Sequence, residues 1–276
     1  MLDVVKSAPE KVKGRRPLEA RSAIVTGSTS GIGLGIARAL AEAGAAVMLN
    51  GFGDPDEIEE TRKGLSGEHD VDIGYDPADM SQPEAIALMA RRALKRFGQV
   101  DIVVNNAGIQ HVAPIAEFPP EKWDAILAIN LSSAFHLIRA TLPGMRDRRF
   151  GRIVNMASAH GLVASPYKCA YVAAKHAIVG LTKVVALEAA EDNVTANAIC
   201  PGYVWTPLVE KQIDDQAKSH SLARDQVIRE VFLKNQPTKR FATVEEMAAL
   251  TVFLCTDSAA SITGTALPVD GGWTAH

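Results

Sequence analysis

The chain alternates short, unbroken apolar runs with stretches whose apolar residues recur every three to four positions. Ala23-Ile24-Val25, ending in Thr26-Gly27, predicts a strand buried on both faces, since a half-exposed strand would alternate apolar with polar residues. Residues 32–43 then carry apolar side chains at helical spacing and stop at Gly44. The same reading predicts a strand over 46–49, a surface helix over 55–65, a helix over 82–97 and, past Gly98, a strand over 102–104. A long helix is expected from about 121 to 142, then strand 152–156, helix 167–188 and strand 195–199. Residues 207–236 are charged and mostly helical in pattern, and helix 243–255 and strand 265–269 close the chain. Strands joined by crossover helices predict an α/β fold, a parallel sheet with helices on both faces. No shift in composition divides residues 21–276, so a single domain is expected, preceded by a flexible extension over 1–20.

Composition narrows the function classes. At 47% hydrophobic the chain is too apolar for disorder. Its 29 Lys plus Arg against 32 Asp plus Glu leave a formal charge of -3, which gives no electrostatic reason to expect nucleic acid. No unbroken run approaches the roughly 18–20 apolar residues that span a bilayer, so no membrane partner is expected. Cys169, Cys200 and Cys255 are widely spaced, without a CxxC pair. They read as reduced thiols of a cytoplasmic protein, with neither a disulfide framework nor a metal site. The lead carries Lys6, Lys11, Lys13, Arg15, Arg16 and Arg21 with no apolar segment behind them, which is unlike a secretory signal.

Between the first strand and the first helix lies Thr26-Gly27-Ser28-Thr29-Ser30-Gly31-Ile32-Gly33. Gly27 permits a tight turn, Gly31 lets backbone approach a phosphate, and Gly33 allows close helix packing. The helix N-terminus behind them offers unpaired N–H groups to an anion. A plain turn would also use glycines, but after the first strand of a βαβ unit they favour a nucleotide.

The G-x-x-x-G-x-G spacing resembles that of the short-chain dehydrogenase/reductase family. Asn105-Asn106-Ala107-Gly108, Ser158, Tyr171-Val172-Ala173-Ala174-Lys175 and Pro201-Gly202 follow in the family's order, and the likeness spans about residues 20–276. It implies a Rossmann-like doubly wound sheet of about seven strands and a nicotinamide cofactor. The resemblance assigns to the cofactor Gly27, Thr29, Ser30, Gly31, Ile32, Gly33, Phe52, Asp79 (at the adenine), Asn105, Ala107 and Gly108. It adds Tyr171, Lys175, Pro201, Gly202, Val204 and Thr206, the last at the nicotinamide carboxamide. It also implies a catalytic tetrad of Asn130, Ser158, Tyr171 and Lys175, with Asn130 holding a water in a proton relay, and a homotetramer.

The chemistry is plausible from the residues themselves. Tyr171 and Lys175 are four apart and share one helix face. An ammonium about 4 Å from the phenol at an effective dielectric near 20 contributes about 4 kcal/mol, or about three pKa units. Desolvation opposes this and a cationic oxidised nicotinamide assists it, so Tyr171 is expected near pKa 7, as a general base. No Lys or Arg stands in Ser28-Thr29-Ser30 or in Asn50-Gly51-Phe52-Gly53, and Asp54 would repel a 2′-phosphate. NAD is therefore expected, with Asn50 or the backbone around Gly51 and Phe52 at the ribose.

Gln110, His160 and Lys168 follow the active-site motifs, and one cation with amide and imidazole donors suits a small carboxylate. Runs 105–111, 158–165, 206–212 and 271–275 resemble members of the family that act on a small-molecule 3-hydroxy acid. That likeness implies Gln110, His160, Lys168 and Gln212 as carboxylate binders, beside Ser158 and Tyr171, with Trp273 walling the far end. Some members carry Trp where Tyr203 stands, so the aromatic wall and the chain-length range differ. Residues 207–236 read as a lid over the substrate. Two alternatives stay open: a reductase of 3-oxoacyl thioesters or of another small hydroxy acid or sugar alcohol, and a non-catalytic NAD(H)-binding sensor.

Overall fold

Every side chain of β1 (Ser22–Val25) is buried, as an unbroken apolar run requires when helices cover both faces of a sheet. The computed structural model describes residues 16–220 and 223–275. The described strands continue with β2 (Ala46–Asn50), β3 (Ile73–Asp76), β4 (Ile102–Asn105), β5 (Gly151–Met156), β6 (Val194–Pro201) and β7 (Ala266–Val269). They form one parallel sheet in the order β3-β2-β1-β4-β5-β6-β7. The chain runs outward from β1 in both directions, so a crevice opens at the carboxyl ends of β1 and β4.

The helices are α1 (Gly31–Glu42), α2 (Pro55–His69), α3 (Pro83–Phe97), α4 (Pro120–Leu127), α5 (Ser133–Asp147), α6 (Cys169–Glu188), α7 (Pro207–His220), α8 (Arg224–Gln226) and α9 (Val244–Cys255). Successive strand residues feed opposite layers. Ala23 and Val25 pack with Ile36 and Leu40 of α1 and Met247 and Leu254 of α9. Ile24 packs with Ile86 and Met89 of α3, Leu137 of α5 and Val185 of α6.

Several elements differ from expectation. β3 is absent from the apolar pattern because Ile73-Gly74-Tyr75-Asp76 alternates and includes a glycine; its pairing with β2 makes it a strand. α2 runs four residues past its expected end, through polar Ser66 to His69, and stops where Asp70 turns left-handed (φ 51°). The helix expected from 167 starts at Cys169, because Tyr167 has φ 68° and cannot join a right-handed helix. The long helix expected over 121–142 is α4 and α5 joined by a π-turn at Ala128–Ser132.

Of the extension expected over 1–20, residues 1–15 lie outside the described residues. Residues 16–20 are part of the folded body: Leu18 is buried and donates its N–H to the Ala43 carbonyl at 2.8 Å, and the Arg16 guanidinium donates to the His69 carbonyl. Although no unbroken apolar run reaches the length that spans a bilayer, two helices are long and apolar enough on average. Pro120–Asp147 and Cys169–Glu188 each reach a mean hydropathy of 1.4 over an 18-residue window. Small and polar residues interrupt the apolar runs without lowering the window average. Both helices pack one face on the sheet and leave Phe135, Val184 and Leu187 exposed on the other.

Candidate active site

The first loop shows why its glycines stand where they do. Gly27 turns left-handed (φ 61°). A Cβ at Gly33 would lie 2.2 Å from the Gly27 carbonyl oxygen, so α1 could not close on the turn with any side chain there. Gly31 (φ 55°) faces open space. Ser30 makes no side-chain cap to α1, which leaves the first N–H groups of that helix to an incoming anion. Thr26 accepts the Asn106 and Ala107 N–H groups at 3.0 Å each, and the Asn106 amide donates to the Thr26 and Gly27 carbonyls, joining this loop to the one after β4. The cradle fits a dinucleotide pyrophosphate. The buried Asn105 Oδ1, which has no partner among the described residues, adds an unfilled acceptor nearby.

Asn50 does not serve a ribose. Its buried amide donates to the Asp76 and Ala78 carbonyls at 3.1 and 2.9 Å and accepts from the Gly27 N–H at 3.3 Å. It is a staple between β2, β3 and the glycine turn. Tyr75 Oη donates to the Gly51 carbonyl and Thr29 Oγ1 to that of Phe52, both at 2.9 Å, while the Phe52 ring is exposed. Asp79 accepts from the Ser81 N–H in the turn before α3.

The four tetrad residues converge at the carboxyl ends of β4 and β5. Ser158 follows β5, and its Oγ accepts the His160 N–H at 3.1 Å. Tyr171 and Lys175 lie one turn apart on α6, with Lys175 Nζ 5.5 Å from the centre of the Tyr171 ring. The Lys175 ammonium donates to the Met156 carbonyl at 2.6 Å. Burial holds Lys175 down at about 8. Tyr171 departs from expectation: burial pushes its hydroxyl up rather than toward 7, the Ser158 hydrogen bond opposes this, and the neighbouring Tyr203 adds to it. Desolvation is the largest influence on the phenol in this structure, and the expectation near 7 included the positive charge of an oxidised nicotinamide. Asn130, turned inward by the π-turn, donates from Nδ2 to the Ile109 carbonyl at 2.9 Å and accepts the Ile109 N–H at 2.8 Å. Its amide is held on both sides by Ile109, with one N–H and one lone pair left over.

Around this centre stands an aromatic wall. Tyr203 stacks on Trp273 (6.0 Å, 11°), Trp273 meets the His160 ring edge-on at 5.1 Å, and Phe232 meets Tyr203 at 5.2 Å. Lys168 Nζ lies 6.0 Å over the Tyr203 ring, and burial lowers its pKa. Both nitrogens of His160 face serines: Nδ1 is 3.5 Å from Ser158 Oγ and Nε2 is 2.9 Å from Ser165 Oγ. Its ring therefore lends no N–H to a carboxylate as it stands. Gln110 and Gln212 are exposed, in the loop after β4 and on α7.

At the end of β6, Pro201 pairs with Val269, and just past it Gly202 cannot carry a Cβ because Gln236 Oε1 would lie 2.4 Å from it. Val204 bridges Ala242, and Thr206 Oγ1 caps the Val209 N–H of α7. Gln236, Ser165 and the Met156 carbonyl all carry weight that sequence reading missed. A glutamine beside Pro237 was the one local signal, and only the fold brings each of them to the site.

A family model described as enoyl-(acyl carrier protein) reductase matches residues 27–274. The chain belongs to the short-chain dehydrogenase/reductase family and is an oxidoreductase. It is 59% identical over 256 residues to D-beta-hydroxybutyrate dehydrogenase of Rhizobium meliloti (strain 1021), covering 93% of this chain and 99% of that protein. It is 55% identical over 263 residues to D-beta-hydroxybutyrate dehydrogenase of Cupriavidus necator, covering 94% and 100%. Among solved structures, L-sorbose reductase from Gluconobacter frateurii, complexed with NADPH and L-sorbose, is 32% identical, with a TM-score of 0.89 over 95% of this chain and 99% of that one.

Proposed function

We propose that this enzyme catalyses the reversible, NAD-dependent oxidation of D-3-hydroxybutyrate to acetoacetate. The observation that carries the substrate is Lys168. It is a partly buried cation facing the aromatic wall, with no carboxylate in ion-pair range among the described residues. A cation desolvated without a partner is costly, and a substrate carboxylate offsets that cost. Relatives named D-beta-hydroxybutyrate dehydrogenase support the same reading.

A bound nicotinamide dinucleotide supplies the hydride acceptor and, when oxidised, a positive charge. Gly27, Gly31, Gly33 and the N-terminus of α1 hold its pyrophosphate, Asp79 and Asn105 its adenosine side, and Thr206 its carboxamide. Ser158 donates to the substrate oxygen, and Tyr171 takes the alcohol proton as the carbonyl forms. The ammonium of Lys175 favours the phenolate, and Asn130 holds a relay water. Lys168 takes the carboxylate, with Gln110 and Gln212 reaching it from the rim, and Trp273 and Tyr203 wall the methyl end. NAD is preferred over NADP because no cation stands at the Gly51–Phe52 end of β2 to meet a 2′-phosphate. The apolar residues left exposed on α5 and α6 fit a homotetramer interface, and the three free thiols fit a cytoplasmic setting.

The test is a panel of D- and L-3-hydroxy acids with NAD and NADP, followed at the reduced-nicotinamide absorbance, with Lys168→Ala alongside. D-3-Hydroxybutyrate with NAD should give the highest kcat/KM, and Lys168→Ala should harm it far more than turnover of a 3-oxoacyl thioester. Higher kcat/KM for the thioester, or with NADP, sinks the reading. Tight NADH binding without turnover would restore the sensor.

A further inference from the structure

The Ser158 hydroxyl has one hydrogen to give and two lone pairs to fill. One lone pair already accepts the His160 backbone N–H at 3.1 Å. The ring of the same histidine lies beside it, with Nδ1 3.5 Å from Ser158 Oγ. Burial, with the positive charge of Lys168 and then of His176, holds the His160 imidazole at about 4, so at neutral pH it carries a single N–H. Which nitrogen bears that proton decides what Ser158 can do. With the proton on Nδ1, the ring donates to the second lone pair of Ser158, and the serine hydrogen, which in this structure meets the Tyr171 hydroxyl, is left for a substrate oxygen to take over. With the proton on Nε2, Nδ1 becomes an acceptor that competes for the serine hydrogen.

The other end of the ring bears on the choice. Nε2 lies 2.9 Å from Ser165 Oγ, the shorter of the two contacts, and that hydroxyl has no other hydrogen-bond partner among the described residues. A hydroxyl donating to Nε2 keeps the proton on Nδ1. We propose that Ser165 is a positioning residue: its hydroxyl donates to His160 Nε2, holds the imidazole in the Nδ1–H form, and so reserves the Ser158 hydrogen for the substrate oxygen. This rests on the reading that Ser158 binds that oxygen. It gives His160 a role in aiming Ser158 and leaves the carboxylate to Lys168.

The tautomer can be read directly. In protein labelled with ¹⁵N at histidine, long-range ¹H–¹⁵N spectra at pH 7 distinguish a protonated from an unprotonated ring nitrogen, and the His160 signals are those lost in His160→Gln. The expected result is a protonated Nδ1 in the wild type and a shift toward Nε2–H in Ser165→Ala. That variant should lose about tenfold in kcat, less than the roughly 10²–10³ that removing a direct oxyanion donor costs. KM for the hydroxy acid should stay within about twofold, and Ser165→Thr, which keeps the hydroxyl, should restore both kcat and tautomer. A wild-type ring protonated on Nε2, or a tautomer unmoved in Ser165→Ala, overturns the proposal. The spectra need no turnover. An enzyme that ignores 3-hydroxy acids but shows the Nδ1–H ring would refute the substrate and leave the positioning role standing.

Discussion

The Lys175 ammonium donates to the Met156 carbonyl at 2.6 Å while lying 5.5 Å from the centre of the Tyr171 ring. One side chain thus ties the end of β5 to α6 and places a positive charge beside the phenol. Burial opposes that charge, holding Lys175 at about 8, so the fold spends free energy to keep it there. Lys175→Met keeps the length but removes both the donor and the charge. We expect kcat to fall by about 100-fold or more, the scale of an acid–base contribution. Relief of the buried charge should offset the lost hydrogen bond, leaving the melting temperature within about 3 °C of the wild type, on the order of 1 kcal/mol. Steady-state kinetics beside calorimetry check this; a loss of stability that tracks the loss of rate would make Lys175 merely structural.

The buried amide of Asn50 satisfies three backbone groups, at Gly27, Asp76 and Ala78. Asn50→Ala strands all three, and each unpaired buried group costs about 1–3 kcal/mol. We expect urea unfolding to show a loss of about 3 kcal/mol, with KM for the cofactor raised as the glycine turn loosens. Wild-type stability with an altered KM would mean that Asn50 faces the ribose after all.

The three-layer α/β fold was legible because parallel strands covered on both faces write themselves as apolar runs, and the helices between them as 3.6-residue periods. β3 was not, because Ile73-Gly74-Tyr75-Asp76 owes its conformation to β2. The meeting of Tyr171 and Lys175 was legible, since residues four apart on a helix need only one turn to share a face. The electrostatics of the pair were not: the upward push on Tyr171 depends on how deeply the finished site is buried. Nor could the uses of Asn50 and Asn130 be foreseen. A buried amide is defined by partners that the chain brings from 21 to 28 residues away.

His160 makes acid stability measurable. Its ordinary pKa of 6.5 falls to about 4 in the fold. Between those values the unfolded chain takes up a proton that the folded chain refuses, so folding loses free energy as pH falls from 6.5 toward 4. The shift corresponds to at most about 3 kcal/mol. His160→Gln, which cannot titrate, should flatten that part of the stability curve relative to the wild type while leaving the region above pH 7 parallel. Identical slopes in chemical denaturation at pH 4.5, 5.5 and 6.5 would show that the ring is not buried neutral.

Tyr203 stacks on Trp273, and in the proposed site that stack would limit the room for the substrate tail. Phe232 backs Tyr203 edge-on, so the ring cannot swing aside without breaking a second aromatic contact. Tyr203→Ala opens the wall by a ring's volume while Trp273 keeps its contact with His160. An added methylene that fits an apolar pocket is worth about 1–3 kcal/mol, or roughly 10–200-fold in discrimination. The ratio of kcat/KM for 3-hydroxyhexanoate to that for 3-hydroxybutyrate should therefore rise at least about tenfold. Lys168 also loses the ring beneath its ammonium, so KM for both acids should rise together, because the carboxylate is common to them. A chain-length ratio unchanged in Tyr203→Ala would place the specificity wall elsewhere, with α7 the next element to vary.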